Sequence, residues 1–427
     1  MTNLDYRVAI PEVHACDVLV VGGGSAGSAA AVAAAEQGAD VLLIERYGFL
    51  GGTGAMVLDT FYGFYTPGKV ERKVVGGVPD RVVDGLRRRG TLLKRPNTYG
   101  AGAGLTYDPD TLKLVWDELT AEAGVHVLHH VLFTDVLLEA GRAVGAIVAT
   151  KQGLRVVRAR AVVDASGDAD VVARAGGELE DAGAAGTAQS LTTTFRMINV
   201  DVQRAKALPK DQLWARMREA AQSGDYELPR REGSSHVTPF AGVMHTNMTR
   251  VAGVDATDPD ALSRAEREGR RQAFEYARFL RDRIPGYEQA EMMGLAVQIG
   301  VRESRRIRGE YWLTSEDVLS AASFERRASP AAAPPSRSIM PAATRAGSTC
   351  PTARRTTSPT AACCRAASTG WSWPVAASPR RTTPTPRCAR SGSAWRWGRR
   401  RASLPRSRAT ARHETWTWPS CASGCSS

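Results

Sequence analysis

The first clear pattern along the chain is two short apolar runs separated by an alanine-rich stretch. Val18–Val21 is apolar at every position, as a strand covered on both faces must be. Ser28–Gln37 is rich in alanine and predicts a helix, and Gly38 predicts its stop. Val41–Ile44 is a second apolar run that ends at Glu45. Further on, Asp108-Pro109 predicts a helix start, with Asp as the cap and Pro in the first turn. Leu112, Val115, Trp116 and Leu119 recur on one face of that helix and read as core, and Gly124 ends it. Val125–Leu128, Val131–Leu138 and Ala143–Thr150 predict a β-meander with turns at Gly141-Arg142 and Gln152-Gly153. A strand-like run over Thr192–Asn199 opens an expected substrate domain. Asp258-Pro259 then starts a long helix that stops at Pro285-Gly286 and buries Leu262, Ala265, Ala273, Ala277 and Leu280. The many charges on this helix read as a solvated face with i,i+4 pairs.

The turn between the first strand and the first helix carries the most specific chemistry. Gly22-Gly23-Gly24-Ser25-Ala26-Gly27 fits G-x-G-x-x-G, and Glu45 closes the second strand 21 residues after Gly24. Gly22 permits a tight turn, Gly24 lets a pyrophosphate approach the backbone, and Gly27 lets the helix pack close to the strand. Free N–H groups and the helix dipole then face the phosphates. Glu45 can accept hydrogen bonds from ribose hydroxyls. A second glycine-rich stretch, Arg46-Tyr47-Gly48-Phe49-Leu50-Gly51-Gly52-Thr53-Gly54, follows directly. It suits an extended FAD running past the second strand, whereas a plain NAD site would pass straight into another βα unit.

Charge changes the picture only in one part. The chain has 427 residues and a formal charge of +12. Residues 1–325 hold 38 basic and 43 acidic residues, whereas residues 326–427 hold 18 arginines and a single acid, Glu414. The body is therefore mildly acidic, and a basic nucleic-acid surface is confined to the tail, where arginine with interleaved tryptophan is a minor third reading. Six of the nine tryptophans and six of the seven cysteines lie in this tail, which contains no Asp, Lys, Asn, Gln, Tyr or Phe. As a low-complexity segment it is expected to be disordered. Its residues are also those of GC-rich codons. Read one base upstream, the stretch 356–391 can spell YDIPYR(C)LLPRGVDGLVVAGR followed by SATHDAHASVRSI, which alternates like a strand. The expectation is a frameshift near residue 325. Cys16 is the only cysteine of the body, which fits a reducing, cytoplasmic setting. The start shows no basic segment leading into an apolar run and a cleavage site, and the apolar stretch 18–35 is broken by glycines and serines, so neither a secretory signal nor a membrane span is expected.

The segments VVGGGSAGSAAAVAAAEQGADVLLIER with GFLGGTGA, VVGGVPDRVVDGL, YDPDTLKLVWDELTAEAGV, AVVDASGDADVVARAGG and IGVRESRRIRGEYWLTSEDVL follow one another over about residues 15–325. In these the chain resembles the FAD-dependent oxidoreductases with two dinucleotide-binding domains, in particular those related to the flavoprotein subunit of heterodisulfide reductase. The shifted reading of the tail resembles the last FAD segment of the same family. The resemblance implies an α/β fold: a Rossmann-like FAD domain over 1–180, with a helical insertion at about 60–120, a mixed α+β substrate domain over 181–300, and a return toward the FAD domain over 301–325. It implies that Glu45 and Arg46 meet the ribose and adenine side. Gly51, Gly52 and Thr53 would lie beside the pyrophosphate or flavin, next to Gly22, Gly24, Ser25, Ala26 and Gly27. Phe133 would give a backbone contact to adenine. Asp164-Ala165-Ser166-Gly167-Asp168 would close over the FAD. Read from the residues alone, Gly167 permits a turn and Asp168 can cap the next helix.

The run Arg302-Glu303-Ser304-Arg305-Arg306 reads either as ion pairs at a domain junction or as contacts to an acidic substrate or the flavin. His236 and His245, as single histidines, are not singled out as proton donors, and His126, His129 and His130 lie in a strand rather than a metal site. Some relatives carry a 4Fe-4S cluster, which needs four thiolates that the body does not offer. The expected activity is electron or hydride transfer through FAD on a small-molecule substrate; the alternative is an inactive, frameshifted remnant of such an enzyme. The sequence names no substrate, electron acceptor, catalytic residue or oligomeric state.

Overall fold

Val18–Val21 is the buried end of β1 (Glu12–Val21), one of the two central strands of a six-stranded sheet ordered β6-β2-β1-β9-β8-β7. The computed structural model describes residues 8–66, 71–73, 75–95, 103–182 and 188–309, together with the pairing of Trp312–Leu313 and Cys388–Ala389. After β1 come α1 (Ser25–Glu36) and β2 (Val41–Glu45), which pairs parallel with β1. Ala31 and Val32 of α1 are fully buried, and small alanines let the helix lie close over the strands. A short helix, α2 (Thr53–Met56), leads to β3 (Thr60–Phe61), α3 (Val78–Arg88), β4 (Leu92–Arg95) and β5 (Gly104–Tyr107). The region expected to be helical thus also holds a small antiparallel sheet, β3-β5-β4. Its strands of two to four residues are too short to show a period in the sequence.

The helix α4 (Pro109–Glu122) starts as its residues dictate: the Asp108 carboxylate accepts the Thr111 N–H at 2.9 Å. It delivers the chain to β6 (His126–His129). This strand pairs parallel with β2 and is not part of the expected meander, because a helical crossover returns the chain parallel to the strand it left. The meander comprises β7 (Leu132–Glu139), β8 (Arg142–Thr150) and β9 (Gly153–Asp164). β9 runs on to lie parallel to β1 in the centre of the sheet. Next come α5 (Asp170–Arg174) and β10 (Leu179–Asp181).

The next elements form a second core. They are β11 (Phe195–Ile198), α6 (Val202–Ala207), α7 (Lys210–Ser223), β12 (Ser234–Val237), β13 (Met244–Asn247), α8 (Pro259–Arg283) and β14 (Glu291–Leu295). The antiparallel sheet is ordered β12-β13-β11-β14. Side chains alternate along a strand. Phe195, Met197 and Met244 therefore pack with Ala273, Tyr276, Ala277 and Leu280 of α8, whereas Arg196 and His245 lie on the other face. The chain then returns as β15 (Arg305–Ile307), antiparallel to β10, followed by β16 (Trp312–Leu313) paired with β17 (Cys388–Ala389). The expectations for the rest of 314–427 lie outside the described residues. No helix among the described residues is long and apolar enough to cross a membrane.

Candidate functional site

The β1–α1 turn is closed by packing at Gly22, Gly23 and Gly27 and left open at Gly24, the remaining one of its four glycines. Gly22 has φ +99°, and a Cβ there would stand 2.4 Å from the Ala165 carbonyl oxygen. A Cβ at Gly27 would stand 1.9 Å from the Gly22 carbonyl oxygen. Both contacts are with backbone, which cannot step aside. Gly24 has an ordinary φ of −65° and caps α1 without a side chain. A Cβ there would meet nothing nearer than Gly52 Cα, at 3.8 Å. Packing requires glycine at 22 and 27, and at 23 a Cβ would stand 2.4 Å from a Leu50 methyl; at 24 the protein leaves space above the first N–H groups of α1, those of Ser25, Ala26 and Gly27.

Two further segments converge on this turn. The Gly51 N–H donates to the Gly23 carbonyl at 2.8 Å, and Gly24 and Gly51 form an isolated parallel bridge. Gly52, with φ +53°, caps α2, whose first residue is Thr53. On the other side, the Ala165 N–H donates to the Val21 carbonyl at 2.9 Å, which places the 164–168 loop against Gly22. Gly167, at φ +91°, makes the expected turn. Asp168 does not cap the following helix. The cap position is Ala169, and the free donors of the first turn are taken by Ser166 Oγ, which accepts the Asp170 N–H at 2.9 Å, and by Asp164, which accepts the Val172 N–H at 3.0 Å. The left-handed Ala169 turns the Asp168 carboxylate elsewhere, and it accepts Ser304 Oγ–H at 2.5 Å.

Glu45 is buried at the tip of β2. Its Oε2 accepts the Gly23 N–H at 2.7 Å and its Oε1 accepts the Tyr47 N–H at 2.9 Å. It therefore clasps the glycine turn itself, and each oxygen keeps a second lone pair. Arg46 is exposed, with its guanidinium 4.9 Å over the Tyr47 ring and within 3.5 Å of Gln298 Oε1. Phe133 is half-buried in β7, opposite Val148; two residues earlier the Val131 N–H donates to the Glu45 carbonyl at 3.0 Å, so this strand starts beside the Glu45 tip. In the arginine-rich run, Arg305 pairs with Asp170, Arg306 with Glu303 at 3.2 Å and Glu180 at 3.5 Å, and Arg302 donates to the Ser190 carbonyl at 3.1 Å.

A second polar cluster joins His236 and His245 to Asp59, a residue that carries no signal in the sequence. Asp59 is 2% exposed. Its Oδ1 accepts the His236 Nε2–H at 2.8 Å and the Thr60 hydroxyl at 3.0 Å, and its Oδ2 lies 3.4 Å from His245 Nδ1. Behind it, Arg95 Nε–H donates to Thr106 Oγ1 at 2.7 Å, and Thr106 and Thr60 hydroxyls are 2.9 Å apart. Burial would raise the Asp59 carboxyl, but His236 and His245, with the hydrogen bonds from His236 and Thr60, hold it below the usual carboxylate range. Burial pushes the His245 imidazole down to about 3 against the pull of Asp59, with His236, Arg196 and Arg95 adding to the push. Tyr107 joins the cluster to the glycine loops. Its hydroxyl donates to the Gly54 carbonyl at 2.9 Å, and burial, then Asp59, raise its phenol well above the ordinary value. The available signal was the spacing HVTPFAGVMH, a strand-turn-strand that makes His236 and His245 cross-strand partners.

The open space at Gly24, the uncapped helix start and the adjoining Gly51–Gly52 backbone fit a dinucleotide phosphate, which needs N–H donors and no Cβ. Residues 17–332 match the model of the family described as FAD dependent oxidoreductase. No curated protein sequence matches the chain. Among solved structures it is similar to a geranylgeranyl bacteriochlorophyll reductase-like protein from Thermoplasma acidophilum, at 18% identity over 69% of this chain and 66% of that one, with a TM-score of 0.42. It is also similar to the myxobacterial chondrochloren halogenase CndH, a variant of the FAD-dependent halogenases, at 18% identity over 69% and 64%, with a TM-score of 0.43. The chain spans slightly under two thirds of each. With the family match covering most of its length, the chain belongs to the FAD-dependent oxidoreductases.

Proposed function

We propose that the chain binds FAD across the β1–α1 turn and uses it to oxidise a small-molecule substrate, passing the electrons to a separate acceptor, or to reduce one with electrons from a separate donor. Gly22, Gly24, Ser25, Ala26 and Gly27 would hold the pyrophosphate by backbone N–H groups, with Gly51, Gly52 and Thr53 on the facing side. Glu45 would use its remaining lone pairs toward the ribose, with Arg46 beside it and the Phe133 backbone toward the adenine. Gly167 and Asp168 would close the far end. Bound there, FAD supplies a two-electron acceptor or donor. The observation that carries this reading is Gly24, the one glycine of the turn whose missing side chain the protein's own packing does not require. Purified protein incubated with FAD is expected to keep the visible flavin bands through gel filtration. Folded protein that emerges colourless refutes the proposal.

Cys16, a free thiol and the one cysteine of residues 1–325, suits a reducing cytoplasm. The composition break at residue 326 supports the view that the tail is read in a shifted frame and that the active enzyme, similar in segment order to the heterodisulfide reductase flavoprotein, ends in the other frame.

A further inference from the structure

The four-stranded sheet carries a row of side chains that the FAD-binding loops do not use. Arg196, His245 and His236 are cross-strand partners on β11, β13 and β12 and so share one face. The fourth position of the row, opposite Arg196 on β14, is Gly294, where a side chain would meet nothing within 4 Å. The row therefore ends in open space. Arg196 is half-buried, yet among the described residues no hydrogen bond or ion pair satisfies its guanidinium. Its five N–H donors are open to solvent and are available to an anion.

His236 stands at the other end of the row with one nitrogen committed. Asp59 is ionised and can only accept, so His236 Nε2–H is the donor at 2.8 Å, and in the neutral imidazole Nδ1 carries the lone pair. Among the described residues nothing hydrogen-bonds that Nδ1. His245 cannot share the task. It is 4% exposed against 15% for His236, and burial holds it neutral. The groups around His236 are Asp59 and Thr60 from the α2–β3 segment and His245 from β13, with Arg95, Thr106 and Tyr62 in the hydrogen-bond chain behind Thr60. Arg196 and Asp59 both act on Tyr107, whose hydroxyl donates to the carbonyl of Gly54, the last residue of the second glycine loop.

We propose that this face is the substrate site of the flavin reaction, that Arg196 anchors a substrate carboxylate, and that His236 takes the proton released when a small carboxylate bearing an alcohol or amine is oxidised. The proposal rests on the FAD reading above. In the reaction a substrate C–H bond breaks with both of its electrons, the pair that FAD accepts as hydride. The O–H or N–H bond breaks, its proton passes to His236 Nδ1, and a C=O or C=N bond forms. The imidazolium is stabilised by Asp59 until water removes the proton.

Two measurements on the FAD-loaded protein and one on the FAD-free protein test this. Acetate, pyruvate and benzoate serve as carboxylate probes in calorimetric titration and in titration of the visible flavin band. At least one is expected to bind saturably to the wild type and about tenfold or more weakly to Arg196→Gln, the loss of a charge-assisted hydrogen bond. The variant should keep wild-type FAD affinity and melting temperature, which a merely structural arginine would not. No binding by any probe, or equal binding in the variant, overturns the anchor. In the FAD-free protein, nitrogen NMR of labelled histidine, assigned with His236→Gln, should show His236 as the Nε2–H tautomer, with the preference lost in Asp59→Asn. An Nδ1–H tautomer in the wild type overturns the proton acceptor. Folded protein that takes no FAD overturns both readings, whereas protein that takes FAD but fails these probes overturns this inference alone.

Discussion

Replacing Gly24 by alanine adds one methyl group where cofactor and protein are proposed to meet. The backbone there, at φ −65° and ψ 176°, is open to any residue, and the new Cβ would make only an ordinary contact with Gly52 Cα at 3.8 Å. Two small terms act on the FAD-free protein. Alanine restricts the unfolded chain, a gain of roughly 0.4–1 kcal/mol, and it is a poorer helix cap than glycine by a similar amount. The stability of FAD-free Gly24→Ala should therefore stay within about 1 kcal/mol of wild type. A methyl group in a tightly filled phosphate site costs about 1–3 kcal/mol, so FAD affinity should fall by roughly ten- to a hundredfold. Gly27→Ala is the control. Its Cβ would lie 1.9 Å from the Gly22 carbonyl oxygen, so it should lose several kcal/mol of stability whether or not FAD is present, about the scale of an interior overpacking or more. Thermal melts of the FAD-free forms and fluorescence titration with FAD read the two effects separately. Gly24→Ala that binds FAD as tightly as wild type would refute the placement of the pyrophosphate.

Three further outcomes are expected. Glu45→Gln replaces one of two acceptor oxygens by an amide that cannot accept from the Gly23 or Tyr47 N–H, so melts should show a loss of about 1–3 kcal/mol, with weaker FAD binding. His245 titrates near 6.5 when unfolded and at about 3 when folded, so its contribution is complete above pH 6.5 and is lost as pH falls toward 3. Urea melts should show a decline approaching 1.4 kcal/mol per pH unit across that window, and His245→Gln should flatten it; equal slopes would mean that other groups govern it. Sequencing the gene across codon 325 should reveal a frame in which the downstream codons spell the alternative segment, and the frame-restored protein should hold more FAD than this chain; a gene whose codons cannot spell that segment ends the frameshift reading.

The glycine turn was legible because its determinants are local. A buried strand, three glycines at fixed spacing, an alanine-rich helix and an acidic residue at the next strand tip all lie within 30 residues, and each is required by short-range sterics or hydrogen bonding. The same locality made α4 and α8 readable, since Asp108 and Asp258 cap the helices their own positions predict. Local reading failed where a partner came from elsewhere. Asp168 looks like a cap from its neighbours, yet Ser166 and Asp164 take those donors and Ser304, 136 residues away, takes Asp168. The strand β6 reads as one more hairpin strand until the α4 crossover lays it beside β2. Asp59, His236 and His245 carry no common motif. They meet because strand pairing puts both histidines on one sheet face and the chain after the second glycine loop runs beneath it. Sterics within a few bonds are written into the order of residues, but the burial that sets the charge states of Asp59 and His245 exists only once distant segments have packed.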